Sequence, residues 1–218
     1  TLNEVHIRNG QVSFRNFTSD PQVNIHADQV VGTFYNLTNS TDAEGRRVAE
    51  FVGEARFLEV APMEANARFD PFTDWEDFEL RLRVTGVPLV KLNDFSRAYG
   101  RFDFADGTGD LVMEVEAENS QLGGYIKPLL RNVEVFDWEH DIQAEDKGFL
   151  RGLWEAIVGG GQTLLKNQRK DQFATRVELS GTIRDQDVSP FQAFLAVLRN
   201  AFIEAFSARF ERSLEEGE

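Results

Sequence analysis

Along residues 1–137, apolar and polar positions alternate in runs with a period of two, the spacing of a strand that buries one face. The first run is Glu4-Val5-His6-Ile7-Arg8 and the second is Gln11-Val12-Ser13-Phe14-Arg15. Between them stands Asn9-Gly10, a pair suited to the two positive-φ positions of a type I′ turn. The expectation is a hairpin in which Arg8 pairs with Gln11, Ile7 faces Val12 and Val5 faces Phe14. All four apolar side chains then share one face. Val23, Ile25 and Ala27 alternate with Asn24 and His26, and residues 31–37 read as a separate strand. Residues 39–47 form a polar loop, and 51–57 a strand of weaker alternation. Ala65, Ala67 and Phe69 mark another strand, which stops at Asp70-Pro71. Phe78, Leu80, Leu82 and Val84 alternate cleanly with Glu79, Arg81 and Arg83.

The period changes between Pro88 and Tyr99, where Leu89, Leu92, Phe95 and Tyr99 fall at helical spacing. Phe102 and Phe104 then precede a loop over 105–110 that contains Asp106-Gly107. Leu111, Met113, Val115 and Ala117 alternate after it, predicting a second hairpin. Gly123-Gly124 marks a bulge or a close backbone approach, and Val133 and Val135 a further strand. The last third differs. Phe149, Leu150, Leu153, Trp154, Ile157 and Val158 predict an amphipathic helical segment over 147–166, interrupted at Gly159-Gly160-Gly161. A late strand follows over 172–184, with Val177 and Leu179 among its alternating positions. A C-terminal amphipathic helix covers 189–213, with Ser189 as N-cap, Pro190 in the first turn and Gln192 completing a capping box. Its apolar stripe is Phe191, Phe194, Leu195, Leu198, Phe202, Phe206 and Phe210.

Roughly ten to twelve strands, about 4.8 Å apart, make an open sheet about 50 Å wide that twists and curls strongly. Two helices cannot cover such a sheet. Either the sheet folds on itself as a sandwich or barrel, or its apolar face stays open for a ligand. The expected fold is mainly β: a long, strongly twisted antiparallel sheet over 1–137, curled into an open groove or partial barrel. With the helical C-terminal section it is α+β overall. No linker divides the chain, so 1–218 reads as one domain.

Composition sharpens this picture at three points. Phe occurs 19 times against 3 Tyr and 3 Trp, so the aromatic content is of the kind with no polar tip. The net charge of −14, from 23 basic and 37 acidic residues, repels phosphate backbones and anionic membrane surfaces. No nucleic acid partner is expected. The absence of cysteine removes disulfides, thiol catalysis and zinc–thiolate sites. The chain begins Thr-Leu-Asn-Glu, without an initiator Met or a signal peptide, and no apolar run approaches the ~20 residues of a membrane span. It reads as a piece of a longer protein.

Candidate chemistry is sparse. His6, His26 and His140 lie far apart and have no i, i+4 partner, so no metal site is expected. Glu114, Glu116 and Glu118 fall on one face of a strand and read as a wet outer surface, not as acid–base groups. The acidic run Asp137, Glu139, Asp141, Glu145, Asp146 lacks EF-hand spacing. Gly159-Gly160-Gly161-Gln162-Thr163 lacks the Gly-Lys-Ser/Thr ending of a phosphate loop and follows a helix. No catalytic residues and no cofactor are expected.

Several passages resemble the AsmA-like family. Val5-His6-Ile7-Arg8-Asn9-Gly10-Gln11-Val12-Ser13-Phe14 resembles the opening of such domains, and Val30-Val31-Gly32-Thr33-Phe34-Tyr35-Asn36-Leu37 the strand that follows. Leu89 to Phe95, Gly100, and Phe102 to Val115 are similar to the family's Leu-Asn, short helix, Gly, strand-pair passage. Arg151-Gly152-Leu153-Trp154, residues 175–181 and Arg199-Asn200-Ala201-Phe202 look like the closing segment of a bacterial envelope branch related to TamB and YhdP. The order of these passages along the chain is stronger evidence than any one of them.

The resemblance implies a non-catalytic protein of the Gram-negative periplasm, anchored in the inner membrane in its full length. It implies a hydrophobic β-groove that carries phospholipids or other acyl-chain lipids toward the outer membrane. Groove-lining positions would be Val5, Ile7, Val12, Phe14, Val23, Ile25, Phe69, Phe78, Leu80, Leu82, Phe102, Phe104, Leu111, Met113, Val115, Val177 and Leu179. Envelope proteins, or the remainder of its own longer chain, are possible further partners. The alternative is a structural or protein-interaction module with a fully packed core, whose C-terminal helix docks a partner.

Overall fold

A computed structural model describes residues 2–38, 48–70, 77–100, 102–136, 172–174 and 176–182. The predicted polar loop 39–47, helical segment 147–166 and C-terminal helix 189–213 with its Phe stripe lie outside the described residues, as do His140 and the acidic run around it.

Nine strands build one antiparallel sheet: β1 (Leu2–Asn16), β2 (Val23–Leu37), β3 (Ala49–Phe57), β4 (Ala61–Phe69), β5 (Phe78–Pro88), β6 (Asp103–Glu118), β7 (Gln121–Phe136), β8 (Gln172–Ala174) and β9 (Val177–Thr182). Each strand from β1 to β7 pairs with the next in sequence. Both β8 and β9 pair with β7, at residues 129–131 and 121–126, so together they fill one edge position and the sheet is eight strands wide. Among the described residues β1 does not pair with this far edge, so the sheet is open.

Two predicted hairpins are single strands. Asn9-Gly10 is not a turn: β1 runs straight through it, and Val5, Ile7, Val12 and Phe14 pair with Phe34, Gly32, Ala27 and Ile25 of β2. The stretch 105–110 likewise lies inside β6, and the two runs read separately at 23–27 and 31–37 form one strand, β2. One physical cause underlies all three differences. Asn9 (φ 54), Gln29 (φ 50) and Gly107 (φ 125) adopt the positive φ that turn residues favour, but each sits at or beside a bulge, where the strand gains a residue and continues. At Asn9 and Gly107 local chemistry favours the positive φ, at Gln29 it does not; in all three, pairing with a distant strand decides for the bulge.

The bulges keep one face apolar. On β2 the inward positions are Val23, Ile25 and Ala27, then Val30, Gly32 and Phe34, so their parity changes across Gln29. On β1 it changes across Asn9, and on β5 across Gly86 (φ 68), from Val84 to Val87. Asn132 (φ 52) separates inward Leu130 from Val133 on β7. The bulges at Asn9, Gln29 and Gly86 also fall on one line across the sheet, joined through the paired positions Ala55, Met63 and Val84. Bulges increase local twist and bend their strand. Aligned, they place the bends of three strands on one line.

True turns occur elsewhere. Asn119 (φ 50) and Ser120 (φ 67) form the two-residue turn between β6 and β7, with Glu118 paired to Gln121. Leu58 (φ 49) and Glu59 (φ 71) turn β3 into β4. Asn16 ends β1 by accepting a hydrogen bond from the Thr18 N–H at 3.0 Å.

The predicted change of period after Pro88 is a 3-10 turn, Leu89–Leu92, leading into α1 (Asn93–Gly100). Asn93 holds α1 to the sheet as a strand residue would. Its Nδ2 donates to the Phe104 carbonyl at 3.0 Å, and its Oδ1 accepts the Phe104 N–H at 2.9 Å. Arg97 adds an ion pair to Asp103 at 2.6 Å. At the same end, Glu59 lies 3.4 Å from Lys91 and 3.9 Å from His26, linking the β3–β4 turn to the 3-10 turn and to β2. α1 touches both β2 and β6, four positions apart in the sheet.

Gly123-Gly124 was expected to mark a bulge or a close approach, and the second alternative is observed at Gly124. Its φ is +141, and a Cβ there would meet the Glu114 carbonyl; a Cβ on Gly123 would meet nothing within 4 Å. Gly124→Ala is expected to destabilise the fold by roughly 1–3 kcal/mol or more, whereas Gly123→Ala, with open space at its Cβ, is expected to stabilise it by about 0.5–1 kcal/mol. Urea unfolding midpoints of the two variants check the contrast.

Candidate apolar binding face

Rows of paired residues run across the whole sheet on its inward face. One is Val5, Phe34, Phe51, Ala67, Leu80, Val115, Gly124 and Leu179, taken from β1 through β7 to β9. The next is Ile7, Gly32, Gly53, Ala65, Leu82, Met113, Ile126 and Val177. No position in either row is polar. On the opposite face the intervening row reads His6, Thr33, Val52, Asn66, Arg81, Glu114, Tyr125 and Glu178.

Small residues in the rows make room for large ones. The Phe51 ring lies over Gly32 and Gly53, where an added Cβ would fall 2.6 and 2.5 Å from ring carbons. Phe34 meets Phe51 at 4.7 Å with the rings tilted by 41°, and meets Phe69 edge-on at 6.2 Å across the intervening strand. Phe51 stands in a strand whose sequence signal is weak, because its inward neighbours are Gly53 and Ala55.

The proposed lining residues distribute unevenly. Phe69, Phe78, Leu80, Leu82, Met113, Val115 and Leu179 are buried in one cluster, with Val5, Ile7, Ile25 and Leu111 half-buried against it. Val12 and Phe14 lie on the same face beyond the β1 bulge and are half-buried, whereas Val23 is 1% exposed. Phe102 and Phe104 do not join the main cluster. They pack edge-to-face at 5.0 Å in a second cluster under the 3-10 turn, with Leu89 and Leu130. Val177 is placed only by its pairing with Ile126. The middle of the face is thus closed to water, and its β1 margin is half open.

The outer face is wet. Glu114, Glu116 and Glu118 are exposed. The Tyr125 hydroxyl is held above its ordinary range, chiefly by its hydrogen bond to Glu114, and the Arg176 guanidinium lies 4.0 Å from its ring centre. His6 Nδ1 lies 3.1 Å from Thr33 Oγ1. Among the described residues no group of three or more His, Asp or Glu could hold a metal ion, and no helix is long and apolar enough to cross a membrane.

One carboxylate fixes the bulge at Gly86. Asp110 accepts the Gly86 N–H at 2.8 Å on Oδ1 and Arg131 Nη2 at 2.6 Å on Oδ2, joining β5, β6 and β7. Burial pushes its carboxyl upward, but the Arg131 hydrogen bond, the Gly86 N–H and the Arg131 charge together hold it below the usual carboxylate range. A depressed folded-state pKa contributes stability above the unfolded value, and that contribution is lost as pH falls through the folded value. The wild-type chain is therefore expected to lose part of its stability below about pH 4, the ordinary range for Asp. Asp110→Asn should be less stable at pH 7 and flatter across that acid limb, as measured by chemical denaturation at a series of pH values.

No family model matches this chain. Neither a curated protein nor a solved structure matches it.

Proposed function

We propose that this chain is a non-catalytic, AsmA-like lipid-binding segment that holds phospholipid acyl chains against the apolar face of its open sheet. The observation that carries this reading is the pair of cross-sheet rows without a polar position, on a sheet whose other face is charged. Two acyl chains of roughly thirty CH₂ groups cost on the order of 24 kcal/mol to hold in water, at ~0.8 kcal/mol each. An apolar strip removes most of that cost, while headgroups stay at the wet margin. Contacts from Val, Ile, Leu, Phe and Gly are non-directional, which suits sliding over tight capture. The half-open positions Val5, Ile7, Val12 and Phe14 are where a chain first reaches the face. In this reading the segment belongs to a longer protein of the periplasm, anchored in the inner membrane, and supports lipid supply to the outer membrane.

A second reading is favoured by one observation: Phe69, Phe78, Met113 and Val115 are 5% exposed or less. A face so closed is that of a packed core, and the chain would then be a structural or protein-docking module. Lipid mass spectrometry of the purified protein, paired with photo-crosslinking from Phe14 and Leu111 and with Arg81 as an outer-face control, separates the two. Co-purified phospholipid and acyl adducts at Phe14 and Leu111, with none at Arg81, are expected. Absence of lipid, with no acyl adduct at either inward position, overturns the groove and leaves the packed module.

A further inference from the structure

We infer that the outer face of β2 and β3 is a docking surface for a basic amphipathic helix of a partner protein. Most of the outer face is charged, but here it is apolar. Val31 (49% exposed), Val52 (45%) and Tyr35 (38%) all point away from the packed side. They are neighbours by register. Val52 is paired with Thr33, so Val31 and Tyr35 are its two diagonal neighbours on β2, about 7–8 Å away. β2 and β3 each have a paired strand on both sides, so the patch lies within the sheet and not at an edge. A sheet face in water ordinarily carries polar side chains at such positions, as this one does farther along the row at Asn66, Arg81 and Glu114.

The charges around the patch identify its occupant. On β3, Val52 stands between Glu50 and Glu54, two residues away on either side. Glu54 is exposed and is paired directly with Glu64 of β4, so two carboxylates face each other across one rung of the sheet. Like charges so placed cost stability. Arg83 lies 4.0 Å from Glu64, on the side away from Val31. The Arg56 guanidinium, next along β3, donates to the Val60 carbonyl at 3.3 Å. A cation arriving from outside therefore gains from both Glu54 and Glu64. With the net charge of −14, these carboxylates repel an anionic membrane surface and attract a basic partner. The spacing suits a helix. Val31 and Tyr35 are about 13 Å apart along β2, close to the ~11 Å rise of two helical turns. A helix lying on β2 would set apolar residues over Val31, Tyr35 and Val52, and Lys or Arg from its flank on Glu54 and Glu64. The patch is on the opposite side from the lipid-holding face, so its failure leaves the groove reading untouched.

A synthetic amphipathic helix of Leu and Lys serves as the probe, with a Leu and Glu helix of the same pattern as control. Fluorescence anisotropy of the labelled peptides is expected to show saturable binding of the Lys peptide only. Val31→Thr with Val52→Thr keeps two β-branched residues and the net charge, and should weaken that binding roughly 10-fold. Glu54→Gln should weaken it roughly 2- to 5-fold yet raise the urea unfolding midpoint, because it removes one of two opposed carboxylates. Glu118→Gln makes the same change of charge away from the patch and should alter binding by less than about 1.5-fold. The absence of saturable binding up to millimolar peptide, equal weakening by Glu54→Gln and Glu118→Gln, or binding unchanged by the two threonines overturns the proposal. So does self-association of the chain that the two threonines abolish, which assigns the patch to a second copy.

Discussion

Strands of fifteen or sixteen residues must keep one face apolar along their whole length, and everything else in this structure follows from how that is done. A two-residue period is strict: one added or lost residue turns every later side chain to the other face. The sheet uses that strictness at single residues of positive φ. Each bulge at Asn9, Gln29 and Gly86 shifts the parity and bends its strand in the same step. The bend of a strand and the continuity of its apolar face therefore have one origin.

The remaining interactions secure that geometry. Asp110 bonds the bulged backbone at Gly86 and is itself held by Arg131, so the bend is fixed by a charged hydrogen-bond pair across three strands. Asn93 supplies both a donor and an acceptor to Phe104, which ties the helix to one end of β6. Leu89 packs over Gly107 and Gly109 at that end, where a side chain on either glycine would exclude it. The Phe51 ring occupies the space left by Gly32 and Gly53 in the same manner. Small residues on the inward face are places for neighbouring large ones, not gaps in the apolar pattern.

Much of this was legible in the sequence. The alternation at Phe78, Leu80, Leu82 and Val84 identified a strand and its inward face, and the period change after Pro88 located the helix. The shared face of Val5, Ile7, Val12 and Phe14 was also legible, although it is kept by a bulge and not by a turn. Three kinds of information were not legible. Asn9-Gly10 has the same local preference in a turn and in a bulge, and only pairing with β2 tells them apart. The inward alternation of β3 was hidden by Gly53 and Ala55. The separation of Phe102 and Phe104 from the main cluster depends on where Leu89 and Leu130 arrive, which no local pattern encodes.

The parity-changing residues carry a consequence for how such a chain can vary in length. Ordinary strand positions accept substitution but not deletion. Removal of Gln11, one such position, would turn Ser13 and Arg15 toward the apolar side, and Val12 and Phe14 toward water. Removal of Asn9 would not, because Val5, Ile7, Gly10, Val12 and Phe14 then fall in one unbroken two-residue frame. A single lost codon at an ordinary position inverts half a strand, whereas one lost at a bulge leaves the faces in place. The bulges are thus the points at which a strand of this sheet can change its residue count and keep its apolar side.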